Sequence, residues 1–136
     1  MATIQRHKII QSKEAVRHTI YTSYFAKIAR DGRVEDKCFS VSRSSPPGFN
    51  GIRYKVLAPS EGLLCLWKNI SDYGWVRFAE NYRKETLSKL DPQKVFETIG
   101  EDSILVCWEG PGKFCHRHII GEWLMENIKG LEVIEL

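Results

Sequence analysis

The sequence predicts an α/β fold: a single compact domain in which a mostly parallel sheet is flanked by helices, a Rossmann-like three-layer sandwich. Three observations lead there. The chain has 136 residues, the size of one ordinary globular domain able to bury a core of its own. SILVCW at 103–108 is a continuous apolar run, the pattern of a parallel strand covered on both faces. That run leads through a tight loop into a helix with an apolar stripe and then into LEVIEL, a strand–helix–strand unit. Residues 1–136 therefore form one domain, with 1–17 read as an accessory or flexible N-terminal segment.

Each element follows from local pattern. HTIYTSYF at 18–25 is β-branched and aromatic, a strand running into the short helix FAKIAR, which stops at Asp31-Gly32. KCFSVS at 37–42 is a second strand. It empties into RSSPPGFNG, whose paired prolines and Gly48 and Gly51 demand tight bends. IRYKVL at 52–57 reads as a short extended piece, and Ser60 as the N-cap of EGLLCLWKN. From Tyr73 to Leu90 the positions Trp75, Phe78, Ala79, Tyr82, Thr86 and Leu90 recur every three or four residues, one apolar helical face that belongs to the core. Asp91-Pro92 restarts a helix that ends at Gly100. The helix at 115–128 carries Ile119, Ile120, Trp123, Leu124 and Ile128 on one side and stops at Gly130.

Composition excludes several classes. No run approaches the roughly 18 apolar residues of a membrane span, and MATIQRHKIIQSKEAVRHT lacks a signal-peptide core, so a cytoplasmic protein without a membrane partner is expected. Residues 1–60 hold 11 Lys and Arg against 4 Asp and Glu, whereas 61–136 hold 9 against 13, so the halves carry +7 and −4. The basic residues are scattered rather than run together. A small anionic ligand is therefore expected ahead of direct nucleic-acid binding. Four cysteines, Cys38, Cys65, Cys107 and Cys115, are expected to be reduced in that compartment, with Cys38 and Cys65 buried as inert thiols in apolar strings.

The most informative cluster is Cys107, Cys115, His116, Arg117 and His118. It places reactive side chains where a strand ends and the next helix begins, the edge at which open α/β sheets bind ligands. A helix N-terminus offers free N–H groups and partial positive charge, and Gly110 and Gly112 allow close backbone approach to an anion. Arg117 suits a bidentate clamp on carboxylate or phosphate, and His116 suits proton transfer near neutral pH. Cys115, at the helix start beside basic groups, meets the conditions that make a thiol nucleophilic. Cys107, within ILVCW, is better explained as a strand-end core residue.

Two other patterns are weaker. Cys107 to Lys113 is a C-x5-K loop resembling a cysteine-phosphatase cradle, but Glu109 would repel phosphate and Lys lacks the planar fork of Arg. Cys107, Cys115 and His116 or His118 are soft zinc ligands, yet their spacing fits no standard finger and no CxxC pair is present. No metal and no cofactor are expected.

At these residues the sequence resembles the family catalogued as domain of unknown function 488. The carrying segment is ILVCWEGPGKFCHRHIIGEWL, with its Cys, short acidic-polar loop, Cys-His-Arg triplet and helix. The resemblance extends to IYTSYF, to Phe78-x-x-x-Tyr82 and to Arg43-Ser44-Ser45-Pro46, nearly the whole chain from Thr19. Many members have Asp-Val-Arg where this chain has Val41-Ser42-Arg43, so a carboxylate is missing. The resemblance implies an α/β domain with Arg43 and the triplet facing one pocket, and it implies no established reaction.

The leading expectation is an anionic or nucleotide-like small-molecule site at the C-terminal edge of the sheet. Arg43, Ser44, Arg117, Tyr24 and Cys107 would contact the ligand, with Tyr21, Trp67 or Trp108 as further stacking surfaces. In its enzymatic form Cys115 is nucleophile or His116 general acid–base. The alternative is a non-catalytic interaction module in which Arg117 pairs with Glu122 or Asp102 and the triplet is structural.

Overall fold

The computed structural model describes residues 17–32, 37–110 and 112–136. Residues 1–16 lie outside them, so the expectation of an accessory N-terminal segment is not addressed. Five strands form one sheet in the order β3-β2-β4-β1-β5, every neighbouring pair parallel. They are β1 (His18–Tyr24), β2 (Cys38–Ser40), β3 (Ile52–Arg53), β4 (Ile104–Cys107) and β5 (Leu131–Glu135). The helices are α1 (Phe25–Asp31), α2 (Glu61–Asn69), α3 (Trp75–Glu85), α4 (Pro92–Ile99) and α5 (His116–Asn127).

The two faces of the sheet are covered unequally. Ile20, Phe39, Leu105 and Cys107 point to a large core built with residues of α2 to α5, while Cys38, Ile104 and Val106 point to a small one with Phe25 and Ile28 of α1. Handedness explains the division. The β1–α1–β2 crossing runs toward the β3 edge, whereas the crossings through α2–α4 and through α5 run the other way, and right-handed crossovers in opposite directions place their helices on opposite faces. The chain therefore switches direction between the adjacent strands β1 and β4, and a crevice opens at their C-terminal ends.

Caps fall where the sequence places them. Ser60 accepts from the Leu63 N–H, and Asp91 accepts from the Gln93 N–H with Pro92 next to it. Gly32 ends α1 in the left-handed region. Three expectations are corrected. The helix from Tyr73 to Leu90 is α3 followed by a separate 3-10 turn, Leu87–Lys89, with Thr86 at φ −109° ending the one and opening the other. The extended piece at 52–57 is two strand residues followed by a 3-10 turn, Lys55–Leu57. Cys65 is exposed rather than buried, since α2 turns it away from the core that Leu63 enters; Cys38 is buried.

Candidate functional site at the C-terminal edge of the sheet

β4 ends at Cys107, and after the loop Cys115 occupies the N-cap position of α5. The two sulfurs are joined in a disulfide with Cα atoms 7.5 Å apart. This corrects the expectation of free thiols: the sheet edge brings together two cysteines that the sequence separates. The Cys107 and Cys115 sulfurs and a Glu109 carboxylate oxygen lie within 4.8 Å of one another, a set that could hold a soft divalent cation only with both thiols reduced.

His116, the first residue of α5, is buried among Tyr82, Val41 and Cys115. Its Nε2 lies 2.6 Å from the Val41 carbonyl oxygen and its Nδ1 lies 3.8 Å from the Cys115 sulfur. A carbonyl only accepts, so Nε2 carries the proton and Nδ1 presents its lone pair to the sulfur. Burial above all, together with the positive charges of Arg117 and His118, outweighs the bond to Val41, which raises the value, and brings the His116 pKa down to about 4. The ring is therefore neutral at physiological pH. The Val41 side chain is fully buried, and it is the Val41 backbone oxygen that orients the histidine.

Tyr82 packs its ring edge-on to His116 at 5.5 Å and donates its hydroxyl to the Leu57 carbonyl oxygen at 2.6 Å. Phe78 stacks on Tyr82 from the preceding turn of α3. The Phe78-x-x-x-Tyr82 spacing thus braces the histidine from the core side.

Arg117 has no exposed surface at all. Its Nε and one terminal nitrogen donate to the two carboxylate oxygens of Glu135 at 3.2 and 2.8 Å. The other terminal nitrogen donates to the Cys107 sulfur at 2.9 Å and to the Glu109 carbonyl oxygen at 2.8 Å. Partial burial pushes the Glu135 pKa up, but hydrogen bonds from Arg117 and Thr22 and the Arg117 charge hold it below the ordinary carboxylate range. Tyr24 lies half-buried at the end of β1 with the Arg117 guanidinium 6.0 Å from its ring centre. Neither residue is placed to receive a ligand from the cavity at Arg43.

Arg43 is exposed and leans on the Pro59 carbonyl oxygen and Glu61 at 3.5 and 3.3 Å. With Ser42, Ser44, Lys68, Trp108 and His116 it lines a cavity of about 90 Å³, into which Glu109 also faces. The expected pairing of Arg43 and Arg117 around one pocket is therefore not formed. Both stand at the same sheet edge, but Arg43 follows β2 whereas Arg117 is drawn across β1 to Glu135 on β5. Of the ligand contacts expected from sequence, Arg43, Ser44 and His116 share the cavity. Cys115 adjoins it behind His116, and Cys107 lies bonded to Cys115.

Two participants were not foreseen. Lys68 comes from α2, and nothing in its neighbourhood in sequence marks it. Glu135 replaces both partners expected for Arg117, and no local pattern links it to a residue 18 positions earlier. Trp67 is occupied in a ring cluster with Trp75, Phe78 and Phe114, so it offers no free stacking face to the cavity.

A family model, DUF488-N3a, described as the active DUF488-N3 subclade, matches residues 16–128. No curated protein and no solved structure matches the chain.

Proposed function

The chain belongs to the DUF488 family, and from that premise we propose that the Arg43–His116 cavity binds a small anionic molecule and that Cys115, in the reduced protein, is a nucleophile served by His116. The observation that carries this reading is the orientation of His116: bonded through Nε2 to Val41, it turns its acceptor nitrogen toward the Cys115 sulfur while its ring lines the cavity. Arg43 and Lys68 supply two positive charges at the same cavity against the one negative charge of Glu109, and Ser42 and Ser44 supply hydroxyl donors.

A neutral imidazole with a low pKa is a weak base, so the thiol proton moves to Nδ1 as the sulfur attacks rather than beforehand. The Cys107–Cys115 disulfide must first be opened by an external thiol of the dithiothreitol or glutathione class. That thiol attacks one sulfur, and a second thiol equivalent resolves the mixed disulfide and leaves Cys107 and Cys115 as thiols.

A second reading, the non-catalytic module, has one observation in its favour: Arg117 is buried and committed to protein acceptors. The readings separate on alkylation of the reduced protein by iodoacetamide, followed by peptide mass spectrometry across pH. The nucleophile reading expects Cys115 to react ahead of buried Cys38, and His116→Gln to slow it by roughly tenfold or more. If Cys115 is modified only on unfolding, the structural reading takes over.

A further inference from the structure

A second cavity, of about 320 Å³, opens beside the first on the α1 face of the sheet. Its walls are Phe25, Ile28 and Ala29 of α1, Pro46 and Phe49 of the loop after β2, and Trp108 after β4; every residue lining it is apolar or glycine. Phe25 meets both Phe49 and Trp108 edge to face, with ring centres 5.2 and 5.0 Å apart. The cleft thus stands where the chain reverses direction between β1 and β4, the place at which α/β sheets present ligand sites.

The local sequence holds these walls in position. Pro46-Pro47-Gly48-Phe49 closes a turn through the Phe49 N–H to the Pro46 carbonyl oxygen at 3.1 Å, with Gly48 at φ 86°, the residue choice of a type II turn. A Cβ at Gly51 would lie 2.4 Å from the Phe49 ring and 2.6 Å from the Cys38 carbonyl oxygen, so the ring folds back against β2 only because residue 51 is glycine. Trp108 is half exposed, yet its indole N–H donates to the Ser44 carbonyl oxygen at 3.1 Å, which fixes the plane of the ring.

Trp108 lines both cavities, so the two adjoin at its ring. One loop serves both, Ser42–Ser44 along the polar cavity and Pro46–Phe49 along the apolar one. We infer that a single ligand occupies both: its anionic group sits at Arg43 and Lys68, and a planar apolar ring lies in the Phe25–Phe49–Trp108 cleft. The ligand class is an aryl anion, an aromatic carboxylate or phosphate. A nucleobase fits the cleft less well, because no polar side chain there meets its hydrogen-bonding edges. This inference rests on the proposed anion site and adds to it the chemistry of the rest of the ligand.

Titration calorimetry of the reduced full-length chain tests it with four probes: 2-naphthoate, 2-naphthyl phosphate, neutral 2-naphthalenemethanol and inorganic phosphate. The expected result is that a naphthyl anion binds roughly tenfold or more tightly than both the neutral arene and inorganic phosphate. Ala29→Phe, which fills the cleft from an exposed helix position, should remove that advantage without abolishing phosphate binding. Arg43→Gln should bring the naphthyl anions down to the neutral arene. If Ala29→Phe leaves naphthyl anion affinity unchanged while Arg43→Gln lowers it, the cleft assignment is overturned and the anion site stands. If no anion responds to Arg43→Gln, the anion site itself fails and the combined ligand with it. A cleft closed by self-association, seen as a dimer in sedimentation that Ala29→Phe dissociates, also overturns it.

Discussion

His116 is held neutral against its ordinary tendency, and that has a measurable consequence for the folded state. In the unfolded chain the ring titrates near 6.5, whereas burial lowers the value to about 4 in the fold. Between those values the unfolded state binds the extra proton, so stability is fully present above pH 6.5 and is lost as pH falls toward 4. A shift of that size corresponds to on the order of 3 kcal/mol. Urea unfolding at a series of pH values should show this decline, and His116→Asn should reduce it to the part that the lowered pKa of partly buried His118 contributes. A wild-type profile that is level through this window would mean that the ring is reached by water and not oriented as described. Arg117 illustrates the opposite case, a charge retained by pairing: a guanidinium with no exposed surface donates four hydrogen bonds, two of them to the Glu135 carboxylate, and removing a partner of such a group costs about 3–5 kcal/mol. The sequence marks both residues as special through their place at a helix start. It does not reveal that one turns its acceptor nitrogen toward the Cys115 sulfur and the other is consumed by β5, because Val41 and Glu135 are brought to them only by the sheet.

Gly51→Ala is the substitution that separates loop geometry from loop composition. The added methyl meets the Cys38 backbone oxygen, which no side-chain rotation relieves, and the Phe49 ring as well, so the chain at residue 51 must move away from β2 and Phe49 must shift in the cleft. Overpacking of this kind costs typically about 1–3 kcal/mol. Thermal unfolding of Gly51→Ala should show the loss, and Trp108 fluorescence should change with it because Phe49 packs on Phe25, the neighbour of Trp108. A variant with unchanged stability and spectrum would remove the glycine argument from the cleft. At this scale much was legible in sequence. Ser60, Asp91-Pro92 and Gly32 mark helix ends by their own hydrogen-bonding chemistry, and SILVCW announces a doubly covered strand. The strand order was not legible: that β4 inserts between β2 and β1 depends on long-range pairing, and with it goes the separation of Arg43 from Arg117 into different places along one edge.

Across the whole molecule, the disulfide ties the end of β4 to the start of α5, and the question is how much of the fold depends on it. The bridged cysteines are 8 residues apart, and closing so short a loop stabilises by about 2–3 kcal/mol on the chain-entropy view. Against this, α5 buries Ile119, Ile120, Trp123 and Leu124 in the large core, and truncating one such leucine alone costs about 2–5 kcal/mol. Gly121 lets α5 lie close on β5, where an added Cβ would come within 3.1 Å of Val133. The helix is thus held by packing along its length and pinned by sulfur only at its first turn. Reduction should therefore lower the melting temperature by roughly 5–15 °C while leaving the folded state intact at 25 °C. Calorimetry with and without dithiothreitol, paired with far-ultraviolet circular dichroism, measures both. Loss of helical signal on reduction at 25 °C would make the bond a condition of folding, and no folded dithiol state would then exist in which Cys115 could act.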